Sequence, residues 1–130
     1  MTYVKLNGTL YPAEIFGKMS DRDWDNRESK AINLTMDYDT AKTIFVDGLA
    51  WSIVTQDEVP TYAVDENGTL IIDENGNLIQ VGTEIREEEF DNAEFNIAGD
   101  ITDHRDGTIT AKMGKLTDLE QAYEMMLGGV

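Results

Sequence analysis

The chain has 130 residues, a length that suits one compact domain, and 41% of them are hydrophobic, which is enough for a core. Its 26 acidic and 10 basic residues give a formal net charge of −16, which argues against nonspecific binding to nucleic acids or anionic membranes. No apolar run approaches the roughly 20 residues of a membrane span, and cysteine is absent. Because the first residues do not follow a basic-then-apolar pattern, we expect no secretion by a signal peptide. We therefore expect an acidic globular domain without disulfides or thiolate sites.

A β-hairpin is predicted at the start of the chain. Asn7-Gly8 separates the strand Tyr3–Leu6 from a second strand that begins at Thr9. Asn and Gly tolerate the positive φ of tight turns, so the pair is typical of a hairpin.

Alternating aspartates follow at Asp21, Asp23 and Asp25. Calcium takes carboxylate oxygens from alternating loop positions, so a cation site is one interpretation. The sixth and twelfth positions of the run are Asn and Ile, where an EF-hand loop needs Gly and Glu. We favour a charged surface loop anchored by Trp24 and leave a cation site as the alternative.

A period of two in the apolar residues predicts four further strands, each with one inward face. Those faces are Ile32, Leu34 and Met36; Leu49, Trp51 and Ile53; Phe95, Ile97, Gly99 and Ile101; and Ile109, Ala111 and Met113. Asp47-Gly48 and Asp106-Gly107 supply turns. Because each strand has one polar face, we expect an antiparallel sheet with one side exposed to solvent or to a partner.

A short helix is predicted between the first two of these strands. Asp37 or Asp39 would cap it, and Ala41, Ile44 and Phe45 share one face at spacings of three and four.

Most of the negative charge lies in residues 57–100, which hold 13 acids and one base, for a net charge of −12. Within this segment, residues 64–71 and 72–79 repeat the sequence Asp-Glu-Asn-Gly with apolar flanks. Each copy predicts a turn, and two copies suggest a small meander, since a solenoid needs at least three repeats. We interpret 57–94 as an acidic hairpin arm or insertion within a single β-rich domain, 1–130.

The end of that arm carries five candidate partner-binding acids, which are Glu87, Glu88, Glu89, Asp91 and Glu94. Such a run is usually a solvated face or loop, and this is the interpretation that we favour. The alternative is a surface that meets a basic partner.

A C-terminal helix is predicted from Thr117-Asp118-Leu119-Glu120, which has the spacing of a capping box. Its apolar stripe consists of Leu119, Ala122, Tyr123 and Met126, and Gly128-Gly129 would end it. Such a stripe needs a docking surface. We favour the protein's own sheet; if a neighbouring subunit covers it instead, Tyr123 and Met126 are partner-binding residues.

No catalytic constellation emerges from the remaining polar residues. The only histidine, His104, lies in an Asp-His-Arg-Asp-Gly turn that lacks the Asn of a kinase catalytic loop, so we expect a polar turn with an Arg105–acid pair. A sugar-binding face could be built from Trp24, Trp51, Tyr11, Tyr62 and Phe16, but core packing explains most of them more simply. We therefore expect a protein that is not an enzyme and has no cofactor or metal.

Three stretches together resemble small proteins encoded among the tail genes of Firmicutes-type phages and prophages, and also the β-sandwich-plus-helix modules of tail tubes and tail tips. They are residues 3–12, residues 24–30 continuing into 45–51, and residues 98–108. The resemblance implies a virion component that docks to copies of itself or to neighbouring tail proteins, is made in the host cytoplasm, and has no catalytic residue.

The predicted fold is mainly β (α+β), an antiparallel β-sandwich or barrel-like sheet with a C-terminal helix and a projecting hairpin arm. The predicted function is that of a non-enzymatic phage tail, tail-tip or baseplate protein, which binds neither membranes nor specific nucleic-acid sequences. The alternative is an acidic inhibitor or DNA mimic that binds a basic host protein. A third hypothesis is a carbohydrate- or calcium-binding β module.

Overall fold

The computed structural model describes residues 1–128, and these residues form seven strands, two α-helices and one short 3-10 helix. The strands are β1 (Thr2–Leu6), β2 (Thr9–Asp21), β3 (Arg27–Thr35), β4 (Trp51–Tyr62), β5 (Gln80–Asp91), β6 (Ile97–Asp103) and β7 (Thr108–Gly114). The helices are α1 (Tyr38–Ile44) and α2 (Asp118–Gly128), and the 3-10 helix is Arg22–Trp24.

The strands form one antiparallel sheet in the order β5-β4-β1-β2-β3-β7-β6. The predicted mainly β fold with a C-terminal helix is therefore confirmed. The sheet is not closed into a barrel, because β5 and β6 stand at its two ends.

The first hairpin forms as predicted. Leu6 pairs with Thr9 across the turn, and Asn7 and Gly8 have φ of 51° and 84°. Two successive positive φ values match a two-residue hairpin turn whose twist suits the flanking strands.

The core confirms the alternation predicted for β3 and β7. Ile32 pairs with Ala111 and Leu34 with Ile109, and all four side chains are buried. Apolar residues of β1 and β4, together with α1, complete the same cluster. Burial of one face of each strand is what fixes the register, because a one-residue slip would expose that face.

Two strands depart from the simple alternation. In β4, Val54 is buried whereas the predicted Ile53 is only partly buried. In β6 the register shifts between Ala98 and Ile101, and both of these residues pack against the core. A bulge adds a residue to one strand, so side chains beyond it change face, and a strict period of two fails there.

The short helix α1 begins at the first of its two predicted caps. The Asp37 carboxylate accepts a hydrogen bond from the Thr40 N–H at 3.2 Å. Ala41 and Phe45 are buried and Ile44 is partly buried, as the spacing predicted.

The chain divides into two compact units. The larger one comprises Thr2–Val54 and the described residues from Glu89 onward, and it contains the core. The smaller one comprises Met1 and Thr55–Glu88. The predicted acidic segment, 57–94, covers most of this smaller unit and continues past its end.

Within the smaller unit, the sequence repeat forms two matching turns, as predicted. The Asp65 carboxylate accepts hydrogen bonds from the N–H groups of Asn67 and Thr69 at 2.8 and 3.0 Å. Asp73 makes the equivalent bonds in the second copy, both at 2.9 Å. Each aspartate thus stabilises the turn that follows it by accepting bonds from backbone N–H groups two and four residues later.

Candidate interaction surfaces

The C-terminal helix begins with the capping box that the sequence predicts. The Glu120 N–H donates to the Thr117 hydroxyl at 3.2 Å, and the Thr117 N–H donates to the Glu120 carboxylate at 2.8 Å. These two bonds satisfy backbone donors that the first turn of a helix leaves without partners.

Arg27, at the start of β3, fixes the first turn of α2 to the sheet. Its Nη1 and Nη2 donate to the two Glu120 carboxylate oxygens at 2.7 and 3.2 Å, and Nη1 also donates to the Lys115 carbonyl at 2.7 Å. The Arg27 side chain is buried, with 4% of its surface exposed. Hydrogen bonds from Arg27 and from the Thr117 N–H lower the pKa of Glu120 from 4.5 to about 2, so this carboxylate stays ionised in moderately acidic solution.

Trp24 and two strand glycines hold Arg27 in place. The Arg27 guanidinium lies 4.9 Å from the centroid of the Trp24 ring, within the range of a cation–π contact. A Cβ atom at Gly114 would lie 2.5 Å from Arg27 Cδ and 2.9 Å from the Trp24 ring, and one at Gly99 would lie 2.8 Å from that ring. The indole therefore fits over the sheet only because both positions lack side chains.

This anchor was not predicted from the sequence. The sequence predicts that Trp24 anchors a surface loop and that Arg27 could neutralise the neighbouring aspartates, but it does not indicate the link from Arg27 to α2. The signal that could have found it is Gly99 at an inward position of a predicted strand, since glycine inside a strand often marks the close approach of another group.

The apolar face of α2 is exposed. Leu119, Tyr123 and Met126 expose 81%, 63% and 73% of their surfaces, and the neighbouring Met125 and Leu127 expose 77% and 63%. The prediction that the protein's own sheet covers this stripe is therefore wrong. The capping box and Arg27 fix only the first turn, and they leave the stripe facing solvent.

A shallow cavity of about 480 Å³ lies beside this exposed face. It is lined by Leu116, Leu119, Glu120, Tyr123 and Glu124. Tyr123 thus lines a concave surface. The predicted end of the helix, Gly128-Gly129, includes Gly129, which lies outside the described residues.

The acidic run is part of a strand and not a loop. Glu87, Glu88 and Glu89 lie in β5, and all three are exposed. Because side chains alternate along a strand, Glu88 points to the opposite face from the other two. The run therefore divides its three carboxylates between the two faces of the strand.

Four of the five candidate acids have protein partners. Glu87 accepts a hydrogen bond from Gln56 Nε2 at 2.8 Å, and Glu89 pairs with Lys5 Nζ at 3.0 Å. Asp91 accepts from the Ala93 N–H at 2.9 Å, and Glu94 pairs with Lys115 Nζ at 3.3 Å. The structure thus distributes these acids over separate local contacts.

Glu94 belongs to a charged cluster over the Phe95 ring. Lys30 Nζ and Lys115 Nζ lie 4.5 and 4.9 Å from the centroid of that ring. Lys115 also pairs with Glu28 at 3.1 Å, and this hydrogen bond is the main cause of its raised pKa. For Lys30, burial outweighs the opposing effect of the nearby Glu28 and Glu94 charges and lowers the pKa.

Two of the three alternating aspartates, Asp21 and Asp25, make separate side-chain contacts. Asp21 ends β2 and is buried, so it does not belong to a surface loop as predicted. Its carboxylate pairs with Lys112 Nζ at 3.0 Å, and that hydrogen bond lowers its pKa. Asp25 lies 3.8 Å from Arg27. Among residues 1–128, no group of three or more His, Asp or Glu residues is placed to hold a metal ion.

His104 lies in the exposed turn between β6 and β7. Its Nε2 is 2.7 Å from the Thr110 hydroxyl. The sequence predicts that Arg105 pairs with an acid in this turn. The Asp103 carboxylate does contact Arg105, but it accepts from the backbone N–H, at 2.9 Å.

The five aromatic residues do not behave as one set. Trp51 is in the core, where its indole N–H donates to the Phe95 carbonyl at 2.9 Å, and Tyr11 packs against that core. Phe16 and Tyr62 are exposed. Core packing thus accounts for part of the set, and Trp24 covers Arg27 as described above.

Comparisons with protein-family models, with curated proteins and with solved structures found no match. The resemblance to phage tail proteins therefore stays a prediction. Within residues 1–128, no helix has the length and apolar character needed to cross a membrane.

Proposed function

We propose that this chain is a non-enzymatic structural protein of a phage virion, a tail, tail-tip or baseplate component that assembles through protein–protein contacts. Its partners are copies of itself and neighbouring virion proteins. The single observation that carries the assembly role is the exposed apolar face of α2, with Leu119, Tyr123 and Met126 at its centre.

The position of that face supports an assembly role because, among residues 1–128, the contacts that hold α2 to the sheet lie at its first turn. Arg27 and Glu120 hold its first turn against the sheet, while Leu119 in that turn and four large apolar side chains beyond it remain exposed. Concentrated apolar exposure of this kind is typical of surfaces that bind another protein. A neighbouring subunit that covered the face would remove this surface from water.

The virion assignment itself depends on the resemblance in residues 3–12, 24–30, 45–51 and 98–108. Its test is mass spectrometry of purified particles from the phage or prophage that encodes the chain. We expect the intact chain at a copy number that fits tail symmetry. Its absence from complete particles would refute the assignment.

Size-exclusion chromatography with light scattering tests the assembly role separately. We expect the purified chain to form a defined oligomer, or to do so when the adjacent tail proteins are added. A chain that stays monomeric with every tail protein present would contradict the role.

A further inference from the structure

The outer strand of the smaller unit has an open backbone edge. β5 is the last strand of the sheet, and β4 is its one neighbour in the strand order of the described residues. All nine residues of Gln80–Glu88 are exposed. Outward-facing N–H and C=O groups on such an edge can pair with an added strand.

This part of the chain also leaves apolar side chains uncovered. Val81 and Ile85 expose 65% and 69% of their surfaces, and because they are four residues apart they lie on the same face of β5. The structure describes every residue of Thr55–Glu88, and none of them is buried. Within Thr55–Glu88, the strands are most of β5 and the later part of β4. A two-stranded ribbon is only marginally stable in water, so a third strand added to β5 would stabilise the pair.

The charge of the segment determines which strand can be added. Thr55–Glu88 contains nine acids and one base, Arg86, which gives a net charge of −8. Glu84 and Glu88 share the face opposite Val81 and Ile85. Like charges directly opposite each other destabilise a strand pair, so the same edge of a second copy is a poor partner. A segment rich in lysine or arginine is complementary.

We propose that the β5 edge at Gln80–Glu88 binds an extended segment of another protein, with alternating apolar and basic residues, by strand addition. Its apolar residues contact Val81 and Ile85, and its basic residues lie against Glu84 and Glu88. This inference rests on the proposed assembly role and adds the chemistry of one partner to it.

The first experiment uses the full chain and a fluorescently labelled peptide of about nine residues in which valine and lysine alternate, since about nine residues match the edge. We expect saturable binding by fluorescence anisotropy that weakens as salt is added. We also expect slower hydrogen–deuterium exchange in Gln80–Glu88 when the peptide is bound. Absence of binding, or binding without that protection, would overturn the proposal.

A second peptide separates strand addition from simple ion pairing. It has the same lysines, but proline replaces each valine, so it cannot donate a continuous ladder of hydrogen bonds. We expect it to bind at least about tenfold more weakly. Equal binding of the two peptides would show that charge alone drives the interaction.

Two charge-matched variants locate the site. Glu84→Lys with Glu88→Lys changes the proposed edge, whereas Glu66→Lys with Glu74→Lys makes the same change in charge at the two exposed repeat turns. We expect about a tenfold or greater loss of affinity in the first variant and less than about threefold in the second. Equal losses would overturn the site.

The outcome is independent of the test of function. If the peptides do not bind but the chain is found in particles, only the strand-addition proposal fails. If the chain is absent from particles but the peptides bind as expected, the virion assignment fails and the edge site remains.

Discussion

Arg27 and Glu120 are 93 positions apart in the sequence, yet their side chains form a two-point ion pair with N–O distances of 2.7 and 3.2 Å. The pair joins the first residue of β3 to the first turn of α2. The same Glu120 carboxylate accepts the Thr117 N–H, so one side chain both caps the helix and holds it to the sheet. The position of the exposed apolar face of α2 therefore depends on this contact.

Arg27→Met is expected to loosen α2. The substitution keeps most of the buried stem but removes the guanidinium that bonds Glu120 and the Lys115 carbonyl. Because it takes one partner from a partly buried ion pair, we expect a loss of about 1–3 kcal/mol in the free energy of unfolding. Urea denaturation measures that loss, and hydrogen exchange should show faster opening of Asp118–Gly128.

The control for this variant is Arg22→Met, which removes an exposed arginine from the neighbouring 3-10 helix. Its effect on stability should stay within about 0.5 kcal/mol. If the two variants unfold alike and α2 exchanges at the same rate in both, the anchoring role of Arg27 is wrong.

The contribution of Glu120 to stability should disappear in strong acid. Its folded pKa of about 2 lies below its ordinary value of 4.5, so its stabilising effect is complete above pH 4.5 and is lost as the pH falls towards 2. Other carboxylates also titrate in this range, so the useful quantity is the difference in unfolding free energy between wild type and Glu120→Gln. We expect that difference to be constant from pH 5 to 7 and to shrink between about pH 4.5 and 2. A difference that stayed constant down to pH 2 would exclude the charged pair as its cause.

Gly114→Ala is expected to displace the anchor without touching a charge. The added Cβ would lie 2.5 Å from Arg27 Cδ and 2.9 Å from the rigid Trp24 ring, so both side chains must shift. We expect a loss of about 1–3 kcal/mol in unfolding free energy, together with faster hydrogen exchange in α2.

Gly17→Ala is the matched control, because a Cβ at Gly17 of β2 meets no atom within 4 Å. It should leave stability unchanged or raise it slightly, since alanine restricts the unfolded chain more than glycine does. Equal destabilisation by the two substitutions would mean that close packing at Gly114 is not important.

The local features of this fold could be predicted from sequence, whereas its long-range contacts could not. The turn at Asn7-Gly8 and the capping box at Thr117 depend on neighbouring residues, and both are present. The exposure of α2 depends on whether another surface lies within reach, which its apolar spacing cannot reveal. The contact of Arg27 with Glu120 likewise requires β3 and α2 to be brought together by the whole sheet.

The secondary structure of the acidic segment, residues 57–94, also depends on long-range contacts that the sequence does not reveal. Its composition predicted a solvated face or loop, and its carboxylates are indeed exposed. The run nevertheless lies in β5, because alternation along a strand is obscured when consecutive residues are all polar. It is pairing with β4 that makes this segment a strand, and β5 lies at the edge of the sheet because β4 is its one neighbour in the described strand order.

The double substitution Tyr123→Ser with Met126→Ser tests the exposed face of α2. Both side chains are more than half exposed, so their loss should change the free energy of unfolding by less than about 0.5 kcal/mol each. Assembly should instead be lost, because the pair occupies the centre of the apolar face that a neighbouring subunit would cover. Light scattering should show smaller particles than wild type at the same concentration, and the variant should be depleted from purified virions. Met19→Ser is the control, because it removes a methionine of β2 that is 83% exposed, against 73% for Met126, so it should assemble as wild type does. Normal assembly of the α2 variant, or equal defects in both, would place the contact surface elsewhere on the protein.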